Sequence, residues 1–384
     1  MALRAIRAVF MRGGTSKALI FRAGDLPADR ADWAPIFLAA MGSPDPAMRQ
    51  LDGMGGGVSS LSKCCVVGPP SRPDADVDYT FAQVAIDRPE VDYASNCGNM
   101  SSAIGPFAVD EGLVAPPAGN EAVVRIHNTN TGKIIVARFP MEDGRAAVTG
   151  DLAIDGVAGT GAPIRLDFTD PGGAGTGRLL PTGNLTDRLD VPGLGPLRVT
   201  LIDAANPCVL VAAADLGMTA TETPAAMERD TALIAGIEAL RRVASVRMGL
   251  AADLEAAARI ISVPKVGILA PPADAPVLSG AIQTAANVDI LARMMSSGQP
   301  HRAVPLTGAL CLAVACRLPG TVAHDLVRPG EATDPVRVGH PSGAILVAAG
   351  VSSGPDGPRV SHATVFRTAR RLFQGEVLHV VPRV

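Results

Sequence analysis

The sequence predicts an α+β protein of two halves, in each of which short strands surround one buried helix. Three observations carry this expectation. The chain's 384 residues exceed one ordinary core and suit two domains of about 100–200 residues each. Short apolar or alternating runs bounded by turn residues dominate it. Two longer runs, 103–113 and 307–316, carry small apolar residues on every side, and a helix apolar all round is buried all round. With 47% hydrophobic residues the cores are large, yet one Trp, two Tyr and nine Phe leave Ala, Val, Leu and Ile to fill them.

Taken in order, residues 3–10 alternate as a strand, Met11-Arg-Gly-Gly-Thr-Ser-Lys17 forms a polar turn, and 18–22 make a second strand. Residues 32–41 place Trp33, Ile36, Phe37 and Ala40 at helical spacing, with Asp32 as N-cap and Pro35 in the first turn. A glycine-rich loop over 51–62 ends at Ser62-Lys63 and a buried strand, 64–67. Strands at 77–86 and 91–93 lead into Ala94-Ser-Asn-Cys-Gly-Asn-Met100, a corner before the first buried helix, where Gly105-Pro106 demands a first-turn proline or a kink. Strands at 122–129 and 133–140 follow.

The stretch 158–177, rich in Gly, Pro and Thr and closed by Leu180-Pro-Thr-Gly-Asn184, marks the domain junction. Residues 1–185 then form the first domain, with its central helix at about 100–113, and 186–384 the second, with its central helix at about 307–317. The last strand is free to cross back to the first domain. The second half reads as strands at 197–203 and 208–213, then a helix from N-cap Thr223 and first-turn Pro224 to about 248, striped by Leu233, Ile237, Leu240 and Ala244. A helix at 251–260, strands at 265–270 and 288–295, and a turn over 296–301 precede the second buried helix. Strands near 336–338, 344–348, 361–366 and 376–381 end the chain.

Composition removes several function classes. A formal net charge of −3 with no block of like charge argues against nucleic acid, as does the lack of aromatic stacking platforms. Arg4, Arg7 and Arg12 interrupt the apolar start, so no signal peptide is expected, and no apolar run is long enough for a membrane span. The six cysteines, at 64, 65, 97, 208, 311 and 316, form no CxxC pair or disulfide-like framework, which suits a reduced, cytoplasmic protein. His127, His301, His324, His340, His362 and His379 are scattered, so no metal site is expected. Neither glycine-rich loop has P-loop or dinucleotide spacing, and no nucleophile elbow is present, so no cofactor is expected.

What remains is proton chemistry by Lys63 and Cys97. Only four of the 34 basic residues are lysines, at 17, 63, 133 and 265, and burial can turn a lysine, unlike an arginine, into a base. Cys97 stands where a helix start leaves backbone N–H groups unpaired, and their partial positive charge favours negative charge on or near the sulfur. Such a pair suits removal of a proton next to a carbonyl or an alkene. Burial and helix starts favour a neutral lysine amine, and bound carboxylates favour the ammonium; the residues leave this balance open. They are equally compatible with Lys63 as a strand-edge lysine and Cys97 as a core thiol.

Several motifs nevertheless resemble one family. They are Met11-Arg-Gly-Gly-Thr-Ser-Lys17, Asp52-Gly-Met-Gly-Gly56 with Ser62-Lys63, Asn96-Cys-Gly-Asn-Met100 with Gly105-Pro-Phe107, and Leu180-Pro-Thr-Gly-Asn184. Pro300-His-Arg302, Leu306-Thr-Gly308, Pro319-Gly320, His340-Pro-Ser-Gly343 and Arg367-Thr-Ala-Arg370 continue the series. Together they resemble, in order and over nearly the whole chain, the PrpF family, which includes 2-methylaconitate cis-trans isomerase, 4-oxalomesaconate tautomerase and 3-methylitaconate isomerase. The resemblance implies a diaminopimelate-epimerase-like fold, two pseudo-symmetric domains each with β-sheet wrapped round a central helix, and an active site in the cleft between them.

It further implies a cofactor-independent isomerase that shifts a double bond by allylic proton transfer in an unsaturated di- or tricarboxylate, with Lys63 and Cys97 catalytic. The family's remaining pocket motifs fall on Thr15, Ser16, Asn96, Gly98, Asn99, Met100, His301, Thr307 and Gly308. The implied partner is a small carboxylate, and a homodimer is compatible with the reading. Two features depart from the family or its relatives. Ala18 stands where a glycine usually follows the lysine, and no cysteine lies at residues 306–308, where the two-cysteine epimerases of this fold carry their second. A one-sided proton shift therefore fits better than the alternatives, a two-base epimerase or racemase and a non-catalytic carboxylate-binding protein.

Overall fold

The computed structural model describes residues 2–93, 96–260, 262–296, 298–331, 334–354 and 357–381. They form two compact units, one from residues up to Asp167 together with those from Phe366 onward, the other from Phe168–Val365. The glycine-rich stretch that reads as a linker belongs to the second unit: Asp203 Oδ2 accepts from the Gly175 and Thr176 amides (2.8 and 2.7 Å) and so ties it down. The junction lies at 167/168, not near 185, inside a strand the periodicity does not reveal, Ile164–Thr169; Asp187–Val191 is a second such strand.

In the first unit β1 (Ala2–Gly13) pairs antiparallel with β2 (Ser16–Arg22) on one side and with the C-terminal strand Ala369–Val381 on the other. Helix α1 (Trp33–Met41) follows, then β3 (Lys63–Gly68), parallel to β2, and β4 (Val77–Val84), antiparallel to β3. The two-residue β5 (Val91–Asp92) pairs with β4 and precedes helix α2 (Gly98–Asp110), and β6 (Glu121–Asn128) and β7 (Lys133–Glu142) complete the sheet. Alternation sorts the side chains onto two faces. Phe10, Leu19, Phe21, Cys64, Val66, Ala82 and Val84 pack with Ile36, Phe37, Ala40 and Met41 of α1. The opposite face meets α2, whose residues 100–109 are all buried.

Helix α2 starts at Gly98, five residues before the apolar run suggests, so Pro106 lies in its interior. A mid-helix proline costs about 3 kcal/mol through a lost hydrogen bond and a steric clash. Burial of ten consecutive residues offsets that, and Gly105 lets the helix close on the sheet, since a Cβ there would stand 2.7 Å from the Phe139 ring. Asp32 is the N-cap of α1 by position only: its side chain makes no capping bond.

In the second unit a hairpin, Asp187–Val191 with Gly195–Asp203, continues through Pro207–Ala212 to the parallel strand Lys265–Ala270 and then Ile290–Ser296. The helix expected from 223 to 248 is two, α3 (Pro224–Arg229) and α4 (Thr231–Arg247). Asp230 leaves helical geometry between them and its carboxylate caps the Leu233 amide at 2.9 Å. Helix α5 (Leu254–Arg259) is shorter than expected, beginning only after Asp253 caps Ala256. Helix α6 (Leu306–Cys316) is the buried one, with residues 308–316 all inside. Among the described residues no helix is long and apolar enough to cross a membrane, which says nothing of strands.

Candidate active site

Strand parity decides what surrounds the N-terminus of α2. Cys64 and Cys65 are adjacent, so they point to opposite faces: Cys64 joins the α1 core, and Lys63 and Cys65 face α2. Antiparallel register sets Gln83 directly opposite Lys63 and Phe81 opposite Cys65. Lys63 is only 7% exposed, donates through Nζ to Gln83 Oε1, and lies 5.0 Å from the centre of the Phe81 ring. Gln83 is itself fixed, its amide donating to the Ser59 and Ser62 carbonyls at 3.1 and 2.8 Å. Beneath, the buried Gln50 donates to the Ser43 and Ser62 hydroxyls at 2.9 and 2.7 Å and accepts from the Gly57 amide at 3.0 Å. This lattice turns the glycine-rich loop into a defined support for Lys63.

Cys97 is the N-cap residue of α2, extended in backbone (φ −103°, ψ 98°), and its thiol makes no capping bond. The carbonyl of Cys97 is held instead, by the Ser101 amide and hydroxyl at 3.0 and 3.1 Å. The Asn96 side chain accepts from Ser101 Oγ and Asn128 Nδ2, both at 3.4 Å; Ala94 and Ser95 lie outside the described residues. Of the six cysteines, all free, only Cys97 is not buried. Burial raises the Cys64 and Cys65 thiols well above their ordinary value. For Cys65 the Cys97 sulfur adds to that rise and the Lys63 charge opposes it, so both groups act across the same small space. Tyr79 is likewise raised, by burial first and then by Cys65 and Cys97. The groups behind Cys97 therefore stay protonated.

The tip of the β1–β2 hairpin closes on this corner. A Cβ on Gly13 would stand 2.7 Å from the Asn99 carbonyl oxygen, and one on Gly14, where φ is +50°, only 2.3 Å from Asn99 Oδ1. Asn99 donates through Nδ2 to Thr15 Oγ1 (3.1 Å). Ser16 and Met100 are buried, which leaves Met100 its backbone N–H to offer. The first unit thus gathers Lys63, Cys97, Thr15, Ser16, Asn96, Gly98, Asn99 and Met100 about one helix start, with the amides of residues 98–100 free for an anion.

The second unit gathers His301, Thr307 and Gly308 at the start of α6. The His301 amide donates to the Met294 carbonyl at 2.7 Å, and Nδ1 lies 2.8 Å from the Ala303 carbonyl and 3.0 Å from its amide, which suits either tautomer. Burial pushes the imidazole below its ordinary value; the Lys265 charge adds to this, against the hydrogen bond that the ring donates to the Ala303 carbonyl. Lys265 opens its strand opposite Cys208, and Cys311 of α6 donates through Sγ to the Ile202 carbonyl at 3.8 Å. Both sulfurs are buried, and Cys311 is raised well above its ordinary value, by burial first.

The family model described as PrpF protein matches residues 3–380. The chain belongs to the PrpF family. Among PrpF relatives it is 42% identical over 374 residues to 3-methylitaconate isomerase of Eubacterium barkeri, covering 97% of this chain and 96% of that one. It is 40% identical to 2-methyl-aconitate isomerase of Cupriavidus necator (97% and 96% covered), and 41% identical to (4E)-oxalomesaconate Delta-isomerase of a Novosphingobium species (96% and 96%). The crystal structure of methylitaconate-delta-isomerase superposes with a TM-score of 0.91 at 40% identity, covering 99% and 96% of the two chains. A hydroxyproline epimerase from Agrobacterium vitis shares the fold alone, at a TM-score of 0.51 and 14% identity over 99% and 94%. The fold is thus the diaminopimelate-epimerase-like one, and the curated PrpF relatives named here are isomerases of unsaturated carboxylates.

Sequence reasoning missed three supports of this site. Gln83 and Gln50 carry no motif, and only the β3–β4 register and the loop's closure reveal them. Arg367 stands inside a motif of the family resemblance without a role, yet its Nε donates to Asn99 Oδ1 at 3.0 Å.

Proposed function

We infer that this PrpF-family protein is a cofactor-independent isomerase that moves a carbon–carbon double bond within an unsaturated di- or tricarboxylate in the cytoplasm. The observation that carries the reading is the parity of β3, which turns Lys63 and Cys65 to α2, the helix whose N-cap residue is Cys97, the one cysteine that is not buried. In the reaction Lys63, as the free amine, takes the allylic proton. The electron pair spreads over the conjugated acid as a dienolate, and amides at residues 98–100 stabilise its charge. A proton returns at the far end of the allylic system from Cys97, or from Lys63 with Cys97 holding the charge, so the double bond moves and no atom is gained or lost. Thr15, Ser16, Asn96 and Asn99 orient the acid; in the second unit the α6 start, with His301, Thr307 and Gly308, is likewise suited to a carboxylate.

Cys311 supports a one-sided shift over a two-base epimerase: it sits inside α6, buried, with its thiol donating to the Ile202 carbonyl. The test is proton NMR of 2-methylaconitate, 3-methylitaconate and 4-oxalomesaconate in deuterated buffer. Wild-type protein should move the double bond and incorporate deuterium in at least one acid, and Lys63→Met should do neither. Undiminished exchange in that variant would remove Lys63 from the mechanism.

A further inference from the structure

Arg367 enters the first unit just ahead of the C-terminal strand, and its guanidinium is held from two sides. Nε donates to Asn99 Oδ1 (3.0 Å) and Nη1 to the Phe366 carbonyl (2.9 Å). Asn99 commits its amide to Thr15, which fixes the oxygen toward the arginine. Three other deeply placed arginines each have an acid: Arg241 pairs with Glu238, Arg371 with Glu111, and Arg293 feels Glu222. Among the described residues Arg367 has no carboxylate within ion-pair distance, and its Nη2 has no acceptor.

A desolvated cation without a counter-charge is costly, and burial alone lowers this guanidinium to about 10. The surroundings add positive charge. Arg12 donates to the Gly14 and Thr368 carbonyls (2.9 and 3.0 Å) and is itself lowered by burial and by Arg370. The amides at the α2 start carry the same sign. An uncompensated planar fork beside a helix start matches a carboxylate, which it grips through two parallel hydrogen bonds.

We propose that Arg367 binds one carboxylate of the substrate beside the start of α2, with Asn99 and Thr15 holding the plane of its guanidinium. The assignment rests on the carboxylate-isomerase reading above. It makes Arg367 a binding residue that selects acids able to place a carboxylate there while another part of the molecule reaches Lys63.

The test is titration calorimetry with propane-1,2,3-tricarboxylate, which is saturated and cannot isomerise, alongside turnover of the three unsaturated acids. Arg367→Gln should weaken tricarboxylate binding about 10- to 100-fold, the range for a lost charge-assisted contact, and raise KM more than it lowers kcat. Arg367→Lys should recover part of the affinity. Asn99→Asp is isosteric and places a carboxylate against the guanidinium, so it should hold or raise the melting temperature while still weakening binding. This variant answers the question even where Arg367→Gln fails to fold. Affinity within threefold of wild type in Asn99→Asp and in any folded Arg367→Gln, with wild-type turnover intact, overturns the assignment and leaves the isomerase reading standing. Lower melting temperatures with affinity kept would mark Arg367 as structural and overturn it equally. A wild-type protein that neither binds the tricarboxylate nor turns over any of the acids overturns both.

Discussion

Gln83 holds Lys63 in place, and Gln83→Met removes that hold at nearly constant volume. Three hydrogen bonds disappear: the one from Lys63 Nζ and those to the Ser59 and Ser62 carbonyls. A bond to a charged group contributes about 1.5–3 kcal/mol and a neutral one about 0.5–1.5. Gln83 is only half-buried, so water replaces part of each, and a net loss of about 2–3 kcal/mol is expected. The kinetic effect should be larger. Displacement of a reacting group by about 1 Å costs about 100-fold in rate, and the Phe81 ring alone cannot hold the amine to that tolerance. Initial rates of solvent-deuterium incorporation should therefore fall 30- to 100-fold in kcat, with KM nearly unchanged because Gln83 is assigned no substrate contact. Denaturant titration separates this from simple unfolding. A folded Gln83→Met protein with kcat within threefold of wild type would show that Lys63 needs no such support.

Two further outcomes follow from burial. Native protein treated briefly with iodoacetamide should be alkylated once, at Cys97, by peptide mass spectrometry, since the other five thiols are buried, and saturating substrate should protect it. Modification of Cys65 at a similar rate would refute the account of its face. His301 and His379 are both held below the ordinary imidazole value, chiefly by burial, so the unfolded chain binds their protons first. Their contribution to stability is complete above about pH 6.5 and is lost as acid carries the pH down through the folded values. The unfolding midpoint in urea should fall between pH 7 and pH 5, and His301→Gln and His379→Gln should flatten that slope.

Much of this molecule is legible in its sequence, for identifiable reasons. The two buried helices stand out because small apolar residues on every side leave no solvent face, and Asn96-Cys97-Gly98 announces a corner because those residues favour turns and helix starts. Helix limits are less legible: the polar Gly98-Asn99-Met100-Ser101-Ser102 gives no apolar stripe, yet the free amides and Ser102 Oγ, bonded to the Asn99 carbonyl at 2.6 Å, make it the first turn of α2. The break at Asp230 is hidden because the flanking stripes run on in phase. Gln83, Gln50 and Arg367 act through residues 20, 12 and 268 positions away, respectively, and no local pattern encodes such distances.

The two units also explain why the chemistry is assigned to one of them. Each begins a strand with a lysine on the face that meets its central helix, Lys63 in β3 and Lys265 in the strand Lys265–Ala270. In the first unit the sulfur stands at the N-cap, ahead of every helical carbonyl and beside free amides. In the second the nearest sulfur of the helix, Cys311, lies a turn and a half inside α6, where residues 308–316 are buried and the thiol is raised well above its ordinary value. A thiol at that depth is closed to solvent and held protonated, so the start of α6 offers its anion-holding amides and the imidazole of His301, which burial pushes below its ordinary value. Moving the sulfur outward, as Thr307→Cys in a Cys311→Ala background, should create a second thiol at the helix start that iodoacetamide alkylates, without making the protein a racemase. Racemisation of a chiral acid by that variant would mean that the position of the sulfur, more than the Lys63–Cys97 pair, sets the reaction class.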